Sequence, residues 1–231
     1  MVKPAKRGPI PRRLLTISLY ALAWLLLTVS SPVWIPLAFL IGLIRRRSFV
    51  LLRLLLCGWF YFGFELIALV LVAWTMLSRP RGEPRLQSLF RLQGWWAHVN
   101  LRVAARALKL HFAVEGADCA VPGPSILLVR HASILDTLLP SAFVQKPSSY
   151  RVRYILKQEL LFDPCIDIVG NTLPNYFVDR TGDTAQELEG VRALAEGLGS
   201  DGILMFPEGT RFSAKKREKA ILRLRAEGSP F

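Results

Sequence analysis

Ser125-Ile126-Leu127-Leu128-Val129 runs straight into Arg130-His131-Ala132-Ser133-Ile134-Leu135-Asp136. Farther along, Gly202-Ile203-Leu204-Met205-Phe206 runs into Pro207-Glu208-Gly209-Thr210-Arg211. Each stretch reads as a short apolar strand ending in a polar turn. The first turn sets a histidine five positions before an aspartate. The second sets a glutamate and an arginine around a glycine. Phe112-Ala113-Val114, Tyr154-Ile155-Leu156 and Tyr176-Phe177-Val178 also read as strands, with helical stretches around Thr137 to Val144 and Thr184 to Leu198. This alternation predicts an α/β fold with a mostly parallel sheet. No repeat and no low-complexity tract interrupts it.

Upstream the chain changes character. Leu14 to Ile44 holds no charged residue. As one helix it would be about 46 Å long, more than the roughly 30 Å of hydrocarbon in a bilayer. Pro32 and Pro36 each remove an amide donor, so the run reads as one kinked span or as two limbs of a hairpin. A second run, Phe49 to Leu77, carries Arg53 near its start and Glu65 near its middle. A carboxylate at that depth is costly. The run therefore dips into the membrane without crossing, or Glu65 pairs with Arg53, or Glu65 titrates. The first run is too long for a signal peptide, and no small-residue cleavage site follows it. Ser78 to Pro84 reads as a hinge, and Leu86 to Leu110 as an amphipathic helix. Trp95 and Trp96 suit either a membrane interface or a packed interior. The division expected is an anchor with hinge over residues 1–85 and a second domain over residues 86–231.

Charge fits this division. The 231 residues carry 30 Lys and Arg against 17 Asp and Glu, a net charge of +13. An excess of that size in a soluble chain would suggest nucleic acid. Here it accompanies strongly apolar segments, and the expected partner is an anionic membrane surface or a phosphate-bearing lipid, with no nucleic acid. Basic clusters flank every end of the apolar runs: Lys3, Lys6, Arg7, Arg12 and Arg13; Arg45 to Arg47; Arg79, Arg81 and Arg85. Keeping all three on one side favours hairpin or re-entrant segments, with the second domain on the cytoplasmic face of the inner membrane. Cys57, Cys119 and Cys165 show no metal-ligand spacing and read as free thiols. No Gly-x-Ser-x-Gly elbow, P-loop or zinc spacing is present.

The two turn motifs, in this order, resemble the glycerolipid acyltransferase family, whose best-known members are the 1-acylglycerol-3-phosphate O-acyltransferases. The resemblance covers roughly Arg102 to Phe231. It implies a membrane-associated enzyme that moves a fatty acyl group from acyl-CoA or acyl carrier protein to the free hydroxyl of lysophosphatidic acid. The product would be phosphatidic acid for phospholipid biosynthesis, made without a cofactor or a metal. His131 would be the general base and Asp136 its orienting partner. Glu208, Gly209, Thr210 and Arg211 would bind the glycerol phosphate acceptor. Two weaker blocks also match: Lys157-Gln158-Glu159-Leu160 resembles the family's Lys-x-Glu-Leu region, and Tyr176 to Arg180 its Phe-x-x-Arg strand end, which adds Lys157 and Arg180 to the binding set. The chain departs from the family where Arg130 stands in place of the frequent Asn before the histidine, which bears on the acceptor head group. Nothing after Arg211 matches the proline-containing strand with which family members continue. The expectation is a domain incomplete at its C-terminus, with residues 1–231 alone inactive or nearly so.

The residue types suit that chemistry. A glycerol hydroxyl attacks a thioester only as its proton leaves, and a histidine with an ordinary pKa near 6.5 takes up such a proton at neutral pH. A carboxylate beside it fixes the tautomer and stabilises the imidazolium. An arginine offers a planar fork that matches a phosphate monoester. Plainer readings stand beside these: His131 as a loop residue with Ser133 or Asp136 as helix caps, and Phe206 to Arg211 as a surface turn with an ion pair. Two other functions stay open, acylation of a different lysophospholipid and a membrane-bound binding or scaffold role without activity. His98 and His111 have no carboxylate at a useful spacing and read as structural.

Overall fold

The computed structural model describes residues 10–46, 49–116, 119, 121, 123–179, 182–207 and 212–228. Four long helices lead: α1 (Ile10–Val29), α2 (Ser31–Ile44), α3 (Val50–Ser78) and α4 (Glu83–Leu108). The first apolar run forms one limb bent at Ser30, and α3 is its antiparallel return. Trp59 donates to Thr28 Oγ1 at 2.8 Å, Gly63 faces Trp24 and Gly42 faces Phe49. The bend follows from Pro32, which has no amide for the Thr28 carbonyl. The Ser31 hydroxyl takes that carbonyl at 2.7 Å, and the Trp34 indole takes the Leu27 carbonyl at 2.7 Å. Pro36 lies inside α2 and does not end it. By length and composition α1 and α3 suffice to cross a membrane, and most of their apolar side chains point outward.

Glu65 pairs with no arginine among the described residues. Arg53 lies about 18 Å away along the helix at 1.5 Å per residue, and Glu65 is fully buried beside Cys165 and Trp96, close to Asp163. Neither of its carboxyl oxygens has a hydrogen-bond partner among the described residues. The expected hinge is a tight turn between two packed helices, with Gly82 at φ +96 and Arg85 donating to the carbonyls of Met76 and Arg79. α4 lies along α3: Trp95 meets Phe64 edge-on, Trp96 meets Tyr61, and Val72, Leu89 and Phe90 share a core with Leu173. Both tryptophans are thus packed between helices.

Four parallel strands follow, β1 (Ser125–Leu128), β2 (Val152–Lys157), β3 (Tyr176–Val178) and β4 (Gly202–Met205), in the spatial order β1-β4-β2-β3. The connections carry a helical stretch with a π-turn at Ser141–Gln145 leading into α5 (Lys146–Ser148), then α6 (Pro164–Gly170) and α7 (Thr184–Glu196). Side chains alternate across the sheet. Val152, Tyr154 and Leu204 pack on one face with Val144 of the π-turn, and Ile155 and Ile203 pack on the other with Leu194 and Leu198. A basic helix, α8 (Ala214–Ala226), closes the described chain and is exposed along its length except at Ile221.

Phe112-Ala113-Val114 is not a strand. A strand needs a ladder partner, and none lies beside this segment among the described residues. The Phe112 ring packs on Phe143 instead, with centroids 5.5 Å apart. The three cysteines are free thiols, as expected.

The basic residues near the start of α1 are committed to the sheet domain. Arg12 and Arg13 each bond one oxygen of Asp167 at 2.9 Å, and Asp167 is fully buried. One position deeper in the bundle, Tyr61 donates to Asp163 Oδ2 at 2.6 Å. Asp163 also caps α6 by accepting from the Ile166 amide at 2.9 Å. Burial raises its carboxyl above the usual range, although these bonds oppose the shift.

Candidate active site

β1 and β4 are adjacent and parallel, so the turns leaving their carboxyl ends emerge side by side. The ladder continues one step past β1, with the Val129 amide donating to the Met205 carbonyl at 3.1 Å. His131 follows at once, and its ring stacks on Phe206 with centroids 4.7 Å apart and planes at 39°. The Phe212 amide donates to the His131 carbonyl at 2.6 Å, and the Arg130 guanidinium sits 4.4 Å over the Phe212 ring. The segment after β4 is therefore pinned to the histidine turn at both its ends.

Asp136 is held in that turn. Its Oδ2 accepts from the amides of Ala132 and Ser133, both at 2.6 Å, while the Ser133 hydroxyl accepts from the Leu135 amide at 3.2 Å. These bonds form a capping box on the short 3₁₀ helix Ile134–Thr137, the reciprocal arrangement expected at a helix start. So Asp136 shapes the backbone that carries His131.

Lys157 ends β2, opposite Val178 of β3. It too stands at the carboxyl edge of the sheet. In open parallel sheets ligands bind at that edge, where the connection direction reverses. Here the chain steps outward from β1 to β2 and β3 and then returns to insert β4 between β1 and β2. Arg180, Glu208, Gly209, Thr210 and Arg211 lie outside the described residues. Among the described residues, Asp179 follows β3 and Pro207 follows β4 at the carboxyl edge. His98 sits on α4 away from this edge, and burial, then Lys146 and Arg102, lower its pKa.

Two supports went unread in the sequence. Glu187 on α7 accepts from the Asp179 amide at 3.2 Å and so braces the end of β3. Asn175 takes the Tyr154 amide at 2.7 Å and gives its own amide to the Gly170 carbonyl at 3.2 Å, tying β2 to α6. The pairing of Tyr176 with Gly190 packs α7 close, because the ring fills the space a Cβ would need. Only a Glu eight residues after Asp179 hinted at the first contact, and the spacing is not diagnostic.

The family model described as Acyltransferase matches residues 111–226, half of the chain, and spans all four strands and both turns. No curated protein and no solved structure gives a significant match. The matched region holds the whole parallel sheet and the histidine turn at its carboxyl edge, and on that match the protein belongs to the acyltransferase family.

Proposed function

We propose that the protein is a membrane-bound O-acyltransferase that acylates the free hydroxyl of 1-acylglycerol-3-phosphate, with acyl-CoA or acyl carrier protein as donor. The observation that carries this reading is the meeting of His131 with Phe206 and Phe212 at the ends of two adjacent strands. It sets His131, at the carboxyl end of β1, against both described ends of the segment that follows β4.

His131 accepts the proton of the acceptor hydroxyl as that oxygen attacks the thioester carbonyl carbon. The carbon–sulfur bond then breaks, and the imidazolium returns the proton to the departing thiolate. Asp136 orients the imidazole through the turn it caps and offers negative charge to the imidazolium. Arg211 and Arg180, with Lys157, bind the phosphate, and Glu208 holds an arginine or a substrate hydroxyl. The outward-facing apolar side chains of α1 to α3 lie in the bilayer, and the sheet domain rests on the cytoplasmic face of the inner membrane.

The test is turnover by the protein in detergent-solubilised membranes, with a panel of lysolipids and both donor types. Lysophosphatidic acid should be the preferred acceptor, and His131→Ala should reduce turnover roughly 10²-fold or more without loss of expression. Near-normal turnover in that variant would refute the mechanism. Preference for another lysolipid would leave the reaction and change the acceptor.

A further inference from the structure

A second cationic site lies at the other end of the sheet. A cavity of about 320 Å³ opens between α4 and the turn that leads into β2, with Arg91, Lys146 and Arg151 on its walls, Gln87 and Ser149 beside them and Phe90 at its base. The Arg151 guanidinium binds Glu83 with an N–O distance of 2.5 Å. Arg91 and Lys146 are exposed, and neither forms an ion pair among the described residues.

The walls are fixed. A Cβ on Gly94 would come within 3.4 Å of Lys146, so α4 and the start of α5 are already in close approach. Behind them Gln145 donates to the Phe90 carbonyl, Gln93 donates to Gln145 at 3.2 Å, and Ser141 bonds Tyr154 at 2.6 Å. The cations are thus presented by a braced surface, which lowers the ordering cost of binding an anion. Phe90 packs with Val72 of α3, whose outer face exposes Val70, Trp74 and Leu77. The bilayer reading of α3 thus sets a lipid surface one helix away from the cavity.

We propose that this cavity binds the phosphate of an anionic glycerophospholipid head group, apart from the candidate active site. The lipid source rests on the bilayer reading of α3; the cationic chemistry does not. The test measures binding of dihexanoyl-phosphatidylglycerol to the whole chain in neutral detergent, without acyl donor, by calorimetry. Dihexanoyl-phosphatidylcholine and inorganic phosphate serve as separate probes. Arg91→Gln combined with Lys146→Gln should bind the anionic lipid roughly thirtyfold more weakly, the scale for losing two near-surface cations. Arg91→Lys should retain most of the binding. Absence of binding, an unchanged double variant, or inorganic phosphate binding as tightly as the lipid would each overturn the proposal. Because no turnover is read, failure here is distinct from failure of the acyltransferase mechanism.

Discussion

The imidazole of His131 stacks on Phe206 at 4.7 Å, joining two residues that stand 75 positions apart at the ends of neighbouring strands. The contact gives the histidine a wall as well as a turn. With the Phe212 amide on the His131 carbonyl, it couples the base to the segment carrying the proposed phosphate ligands.

Removing that wall should affect rate more than binding. Phe206→Ala is expected to reduce kcat about tenfold or more, since small misplacement of a reacting group is costly, with a lesser change in acceptor KM. Steady-state kinetics on membranes bearing the variant would check this. A variant with normal kcat and raised KM would assign Phe206 to substrate contact.

Asp136 offers a separation of two roles. Asn can still accept from the Ala132 and Ser133 amides, as it does at helix caps, but carries no charge. Asp136→Asn should therefore keep the fold and the thermal midpoint while turnover falls roughly 10²- to 10⁴-fold. If turnover stays near normal, Asp136 acts only as a cap.

Asp167 predicts an acid limit. Burial raises its carboxyl, but the hydrogen bonds and charges of Arg13 and Arg12 outweigh this and hold it below the usual range. A depressed folded-state pKa stabilises above the unfolded value, about 3.9, and that stabilisation is lost as pH falls through the folded value. As pH falls below the unfolded value and through the depressed folded one, the start of α1 should release from α6, seen as faster proteolysis near Arg12. Asp167→Asn should weaken this contact already at pH 7, by on the order of 2 kcal/mol, and flatten the acid response. An unaltered acid profile in the variant would remove Asp167 from the account.

Glu65 and Asp163 should respond in opposite ways. Glu65 is buried with both oxygens unbonded among the described residues, whereas Asp163 accepts from Tyr61 and Ile166. Glu65→Gln keeps the shape and is expected to leave thermal stability in detergent equal or higher. Asp163→Ala orphans the donors of Tyr20, Tyr61 and Ile166 and should cost roughly 2 kcal/mol. A Glu65→Gln loss as large as that of Asp163→Ala would show that Glu65 makes a stabilising bond.

By itself the sequence determined the elements whose signals are local. Four apolar runs became strands because each is a short β-rich segment bounded by turn residues. His131, Ser133 and Asp136 could be read together because one turn holds all three, so their spacing is their geometry. The bend of the first helical limb was legible in Pro32 for the same reason, although Pro36 was absorbed without a break. Phe112 to Val114 misled because a strand is defined by its neighbour, and that neighbour is absent from the local sequence. Only the tertiary structure decided that β4 inserts between β1 and β2, which brings Phe206 to His131. It also decided that Arg12 and Arg13 meet Asp167 and that Glu65 faces the region of Asp163 instead of Arg53. Such contacts join segments 75 to 155 positions apart. Sheet order and helix docking, set by burial of the whole apolar surface, fix them, and no local period encodes that sum.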